Sequence, residues 1–114
     1  MKKRIAIIAA ACLLLFATAC GKKIPRGMSE KTYNAGMQAL EIEESYLNGK
    51  ITADEASMQL DTIYSLLDTF EFEDSNESAK NHIVSIYVTT FTLDLLLEND
   101  VSKSYDKLKD ALTN

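Results

Sequence analysis

Groups that could catalyse a reaction are few in this 114-residue chain, which has one histidine, His82, and two cysteines, Cys12 and Cys20. A structural zinc site is usually built from about four Cys and His ligands, and the chain has no second His and no Cys after the predicted signal peptide and Cys20 that could join His82 in such a set. A Ser–His–acid triad would also have to use His82, but the G-x-S-x-G nucleophile motif is absent. The sequence therefore predicts no catalytic residue, no bound metal and no cofactor, and we expect the protein not to be an enzyme.

Carboxylates are numerous, but their spacing matches no known site. Glu41, Glu43 and Glu44 cluster on a predicted helix that lacks the E-x-x-H motif of di-iron bundles. We expect Glu41 and Glu44, which are one helical turn apart, to lie on a solvated face, with Glu44 nearer its apolar edge. The acidic segment 71–78 lacks the alternating acidic register and the central glycine of an EF-hand loop. We expect a solvated connection there, with a weak surface cation site as the alternative.

Asp94 and the tyrosines are candidates for contact with a partner. Asp94 interrupts a strongly apolar segment, where a carboxylate is costly to bury unless it is paired. It either reaches solvent or a neighbouring Tyr or Lys, or it makes a polar contact with a partner. Tyrosine is enriched in binding surfaces, so Tyr46 and Tyr64 are the other candidate interaction residues, with core packing as the alternative.

The first twenty residues have the order of an export signal. A basic KKR sequence (2–4) precedes an apolar run (5–16), and the small residues 17–19 supply a cleavage site. The apolar segment 5–19 is 15 residues long, whereas a membrane-spanning helix needs roughly 20. Residues 1–19 are therefore predicted to be a cleaved signal peptide rather than a permanent anchor.

Ala17-Thr18-Ala19-Cys20 resembles the lipobox of bacterial lipoproteins, in which small residues precede an invariant cysteine. The resemblance covers the signal region alone, and Ala17 stands where that family more often has leucine. It implies that the Cys20 thiol receives a diacylglyceryl group and that a dedicated signal peptidase cuts between Ala19 and Cys20. One acyl chain binds a membrane only marginally, whereas two or three hold a protein stably. Plain secretion is the alternative, because the same residues satisfy an A-x-A cleavage site.

Residues 20–28 are predicted to form a lipidated cysteine and a basic tether. After cleavage Cys20 would be the one cysteine left, which excludes an intramolecular disulfide. Two glycines and a proline in the sequence GKKIPRG (21–27) interrupt a helix, and its three basic residues favour an anionic membrane surface. Seven extended residues reach at most about 25 Å. We therefore expect a lipid-anchored protein on the extracytoplasmic face of the cell membrane. The start GKK is similar to that of many Gram-positive lipoproteins, which implies a single membrane.

Charge and composition limit the fold and the partners. All 17 acidic residues follow residue 28, where only six lysines accompany them. Phosphate binding needs clustered Lys and Arg, so nucleic acid is not an expected partner. The chain has 4 glycines and 1 proline, which is few for a turn-rich β fold and suits long helices. Residues 29–114 are therefore predicted to be all-α, a small antiparallel bundle of three long helices and a short C-terminal helix.

The turn within YLNGKITADEA (46–56) is the clearest local pattern. Asn48-Gly49 predicts the end of the first helix, because glycine suits the left-handed position after a helix. Thr52 with Glu55 three residues later predicts a capping box at the start of the second helix. The segment loosely resembles the G-x-I-T-x-x-E pattern of short helical hairpin modules, which implies shape rather than activity.

Two further helices are predicted with different clarity. Residues 83–97 (IVSIYVTTFTLDLLL) are rich in β-branched and aromatic side chains, which are typical of strands. About fifteen residues are long for a strand, however, and no partner strand is evident. We predict a buried central helix here, capped by Ser75 or Ser78. Ser102 is predicted to cap the short last helix. The wide apolar arc of the first helix (29–48) predicts contact with two neighbours.

The sequence predicts the location of the protein in the cell more clearly than its activity. The expected protein is an exported, membrane-anchored lipoprotein that binds another envelope protein through its helices. Its expected partners are membrane lipid, through acylated Cys20, and an envelope protein. One alternative is a small-ligand or cation-binding lipoprotein, which needs a cavity between helices. Another is an immunity or inhibitor lipoprotein that acts against a secreted factor.

Overall fold

The computed structural model describes residues 23–113, so the predicted signal peptide, Ala19 and Cys20 lie outside the described residues. Within this range there are four helices and no strand: α1 (Glu30–Leu47), α2 (Ala53–Thr69), α3 (Ser75–Leu96) and α4 (Ser102–Thr113). The predicted all-α class, with three long helices and one short helix, is confirmed. The ambiguous segment 83–97 is helical as far as Leu96. No helix within this range is long and apolar enough to cross a membrane.

The turn between α1 and α2 has the structure that its sequence predicts. Gly49 has a φ of 74°, the left-handed conformation that glycine adopts without strain. The side chain of Thr52 accepts a hydrogen bond from the N–H of Glu55 at 3.2 Å. Glu55 Oε1 in turn accepts from the N–H of Thr52 at 3.0 Å. Both the predicted stop and the predicted capping box are confirmed.

Asp74 caps α3 in place of the predicted serines, and Ser102 is the first helical residue of α4 rather than its cap. Asp74 Oδ1 accepts from the N–H of Asn76 at 2.8 Å, so Ser75 is the first helical residue of α3. Asp100 Oδ1 accepts from the N–H of Ser102 at 2.9 Å, and this bond lowers the pKa of Asp100. A carboxylate satisfies the free N–H groups as a serine would, and its charge also complements the helix dipole.

The core forms where the apolar faces of the four helices meet. α1 packs against all three other helices rather than the two neighbours predicted for it. Gly36 makes this approach feasible, because a Cβ on Gly36 would lie only 2.6 Å from a methyl carbon of Leu112 in α4. The large apolar side chains that are at most 4% exposed and come from α2, α3 and α4 are Leu60, Ile63, Leu67, Val84, Val88, Phe91, Leu108 and Leu112.

The residues before α1 pack on the bundle. Pro25 and Met28 are buried, and Ile24 is partly buried against the core. Gly27 lies beside the first turn of α3, since a Cβ on it would be 3.6 Å from the Cβ of Asn76. Residues 24–28 of the predicted tether therefore belong to the folded domain. They enter it at the end of the bundle where α1 and α3 begin.

Candidate functional site

A surface groove with a volume of about 450 Å³ runs between α2 and α3. Tyr64 and Asp68 of α2 line one side, and His82, Ile86 and Thr90 of α3 line the other. Tyr64, Asp68, His82, Ile86 and Thr90 are all exposed to solvent. We call this feature the α2–α3 groove. It offers apolar and polar side chains together, which suits contact with a peptide or a small molecule.

Buried hydrogen bonds fix the base of the α2–α3 groove. Asn81 Nδ2 donates to the carbonyl of Leu67 at 3.0 Å, and both residues line the groove. Asn81 Oδ1 accepts from Thr32 Oγ1 at 2.7 Å, which joins α3 to α1. Ser29 Oγ donates to Thr32 Oγ1 at 3.0 Å. This Thr32–Asn81 network ties three helices together, so the two sides of the groove are held at a fixed separation.

The groove also brings together side chains that the sequence did not relate to one another. His82 shares it with Asp68, Ser78 and Ser85. A nucleophilic serine must be within hydrogen-bonding distance of its base, and the hydrogen bonds of the described residues include none between His82 and these groups. Nor does the range 23–113 contain three or more His, Cys, Asp or Glu residues arranged to hold a metal ion.

The exposed side of α3 continues the groove as an apolar surface. Ile86, Leu93 and Leu97 recur on one side of the helix and are 44%, 51% and 60% exposed. Leu96 beside them is 68% exposed, and Tyr64 on α2 is 39% exposed. Single exposed apolar residues are common, whereas a contiguous row of them marks an interaction site. We call Tyr64, Ile86, Leu93, Leu96 and Leu97 the apolar face.

Of the three predicted interaction residues in the described range, only Tyr64 belongs to the apolar face. Tyr46 is half-buried, and its ring packs edge-on against Phe91 with centroids 6.2 Å apart. Asp94 is half-buried, and its Oδ2 accepts from Ser104 Oγ of α4 at 2.8 Å. The interaction roles of Tyr46 and Asp94 stay predictions, but the structure gives each of them a contact within the chain.

Glu43 is the distinctive residue that sequence reasoning missed. Its side chain is fully buried, and neither carboxyl oxygen has a hydrogen-bond partner. Burial, with the nearby charge of Glu44 as a second cause, raises the pKa of Glu43 to about 9. The carboxyl is therefore protonated at neutral pH. The sequence spacing indicated that Glu43 is buried, because Glu43 follows buried Ala39 by four residues and buried Gly36 by seven on the same face of α1.

Glu41 and Glu44 are half-buried, which differs from the solvated positions expected for them. α4 covers this part of α1, and Tyr105 of α4 donates its hydroxyl to Glu44 Oε2 at 2.7 Å. Burial, and then the bond to Glu44, raises the pKa of Tyr105 to about 12. Burial also raises the pKa of Glu41. The bond between Tyr105 and Glu44 joins α1 to α4 on the side of α1 that the sequence assigned to solvent.

Comparison with family models, with curated proteins and with solved structures finds no match. Three features bear on function: the α2–α3 groove, the apolar face and the sequence of the first twenty residues.

Proposed function

We propose that this protein is an exported, membrane-anchored lipoprotein that binds another envelope protein through its apolar face. The observation that carries the proposal is the exposure of Ile86, Leu93, Leu96 and Leu97 along a single helix and its C-cap. The opposite side of α3 is apolar as well, with Phe91 fully buried. A helix with apolar residues on two opposite sides is normally covered on both, and residues 23–113 cover only one of them. The proposed role is binding rather than catalysis.

The first twenty residues and the position of the N-terminal segment support the anchor. The lipobox-like sequence predicts an acylated Cys20 at the outer face of the cytoplasmic membrane. Ile24 already packs on the bundle, and the four residues from Cys20 to Ile24 span at most about 14 Å. An acylated Cys20 would therefore hold the end of the bundle where α1 and α3 begin close to the bilayer. The α2–α3 groove, whose lining includes Ser78, opens near that end.

Mass spectrometry of the mature N-terminal peptide tests the anchor. We expect a chain that begins at Cys20 and carries a diacylglyceryl group on the thiol. Cys20→Ala should abolish the modification, whereas the matched variant Cys12→Ala should retain it, because Cys12 leaves with the signal peptide. An unmodified Cys20 thiol in the wild-type protein would refute the lipid anchor.

Site-specific photo-crosslinking in intact cells tests the binding role. A photo-reactive phenylalanine derivative in place of Leu93 should capture a protein. The same derivative in place of Met58, which is 63% exposed on α2 and does not line the groove, is the matched control and should not. Capture of lipid alone from Leu93, or equal capture from Met58, would contradict the proposed binding role.

A small-ligand-binding lipoprotein is the second candidate function. The volume of the α2–α3 groove, about 450 Å³, lies in the range of roughly 300–1,000 Å³ typical of ligand sites. Asp68 and His82 would then orient the ligand. A compound that raises the melting temperature of the wild type but not of His82→Ala would favour this candidate. An immunity or inhibitor role would use the same apolar face and differ only in having a secreted factor as the partner.

A further inference from the structure

The apolar face lies in the most acidic part of the protein. Residues 51–100, which include α2 and α3, carry eleven acidic side chains and a single basic one, Lys80. Asp61 and Asp68 are exposed and lie three residues before and four residues after Tyr64. This spacing places them on the same side of α2 as Tyr64. Asp68 lines the groove itself, and Asp61 lies about one helical turn before Tyr64. A partner that covers the apolar face must therefore bring apolar side chains and positive charge together.

Charge disfavours two other occupants. A second copy of this chain would bring two segments, each with ten net negative charges, against one another. An anionic bilayer surface would repel the same segment. A third possible occupant is the signal peptide of this chain, which has both apolar and basic residues. Its KKR sequence (2–4) precedes the apolar run, so the basic residues do not lie beside the apolar ones along the segment. Under the proposed function, cleavage also removes it.

The geometry of the surface favours a helix as the bound element. Residues 23–113 contain no strand, so they offer no sheet edge that could pair with an extended peptide. Two adjacent helices with a groove between them accept a third helix along their length. From His82 to Leu97 the chain advances about 22 Å at 1.5 Å per residue, which corresponds to four turns of a bound helix. Thr90 Oγ1 already donates to the carbonyl of Ile86 at 2.8 Å, so covering this hydroxyl leaves no donor unsatisfied.

We propose that the apolar face binds a basic amphipathic helix of a second protein. Ile86, Leu93 and Leu97 pack against the apolar stripe of that helix, and Asp61 and Asp68 face the Lys or Arg residues beside the stripe. This assignment rests on the protein-binding role proposed above and adds the chemistry of the partner. Apolar contacts supply most of the binding energy. Asp61 and Asp68, which we call the acidic rim, select against uncharged and acidic helices.

Sequencing of the segment captured from the position of Leu93 tests the partner's chemistry. We expect an amphipathic segment whose apolar residues recur every three or four positions and are flanked by Lys or Arg. A segment of another protein without basic residues would overturn the assignment and leave the binding role intact. A second copy of this chain, or residues 1–19 of this chain, would overturn the assignment and the binding role together. The absence of any protein adduct from Leu93 would overturn the assignment and the binding role together.

A binding measurement with a synthetic peptide of the captured segment tests the acidic rim. The full chain is reconstituted in nanodiscs of uncharged lipid, and empty nanodiscs supply the background. We expect Asp61→Asn/Asp68→Asn to weaken binding about fivefold at low salt and to reduce the dependence of affinity on salt. The matched control Glu30→Gln/Asp106→Asn removes two exposed charges that do not line the groove and should leave affinity unchanged. An unchanged affinity in Asp61→Asn/Asp68→Asn, or an equal loss in the control, would overturn the assignment.

Discussion

Two polar side chains enter the core from the same face of α1, with opposite outcomes. Thr32 and Glu43 are eleven residues apart, about three helical turns, and both are fully buried. Thr32 Oγ1 accepts from Ser29 and donates to Asn81, so its hydroxyl is satisfied in both directions. Neither oxygen of Glu43 has a partner. One end of the bundle thus buries polar groups in a network, whereas Glu43 lies buried and unpaired.

The difference shows that buried hydrogen bonds hold the helices in one defined arrangement at the Thr32–Asn81 end of the bundle. A buried hydrogen bond contributes little net stability, but breaking it leaves an unpaired group at considerable cost. The Thr32–Asn81 network therefore resists rearrangement at the base of the α2–α3 groove. Glu43 fixes no geometry, and burying it without a partner reduces the stability of the fold. We expect variants in the two regions to change stability in opposite directions.

The largest expected effect is a pH dependence of stability that originates in Glu43. Its pKa in the folded state, about 9, lies above the unfolded value of 4.5, so folding retains a proton that unfolding releases. This contribution to stability is complete below pH 4.5 and is lost as the pH rises toward 9. The free energy of unfolding should fall by about 1.4 kcal/mol per pH unit, or about 4 kcal/mol from pH 5 to pH 8. Urea unfolding across this range measures the slope, and a flat or rising curve would contradict the proposed state of Glu43.

Replacement of the buried carboxyl should stabilise the protein. Glu43→Met keeps a side chain of similar length and removes both the proton uptake and the unpaired oxygens. At pH 7 we expect the free energy of unfolding to rise by about 3 kcal/mol, with a smaller gain at pH 5. Glu41→Met on the same helix is the matched control and should give a smaller gain, because Glu41 is only half-buried. Denaturant titration at both pH values measures the difference, and a loss of stability in Glu43→Met would show that the carboxyl has a partner.

Removal of the central amide of the network should destabilise the protein. Asn81→Leu leaves the hydroxyl of Thr32 without its acceptor, and the Leu67 carbonyl keeps only the N–H of Phe70 at 3.2 Å. We expect a loss of about 2 kcal/mol in the free energy of unfolding. His82→Leu, at the exposed next position, is the control and should change it by less than about 0.5 kcal/mol. Equal losses in the two variants would mean that the network contributes nothing specific.

The smallest expected effect concerns the hydroxyl at the start of α1. Thr32→Val preserves the shape of the side chain but removes the donor to Asn81 and the acceptor for Ser29. We expect a loss of about 1 kcal/mol. Thr62→Val removes an exposed hydroxyl that donates to the carbonyl of Met58 at 3.1 Å, and it should have almost no effect. Thermal unfolding of the two variants side by side provides the measurement.

Predictions from the sequence were most accurate where the interactions are local. Gly49, Thr52 and Glu55 define the turn between α1 and α2 through contacts within three residues, so their types and spacing predicted it. The cap of α3 at Asp74 was predicted wrongly, because nearby serines can make the same hydrogen bonds and spacing alone does not rank them. Ser102 is likewise the first residue of α4 rather than its cap. The buried state of Glu43 was missed, although its register with Ala39 placed it on the buried face.

The sequence by itself determined that the described residues form four helices, where the first turn lies and which stripes are apolar, because these features depend on residues at most a few positions apart. The tertiary structure alone decided which helix faces are covered. Tyr105 reaches Glu44 across 61 positions of the chain, and Gly36 admits Leu112 against α1. No local pattern encodes such contacts, since they depend on how whole helices pack together. For the same reason, only the packed bundle shows that the other described residues leave Ile86, Leu93 and Leu97 uncovered.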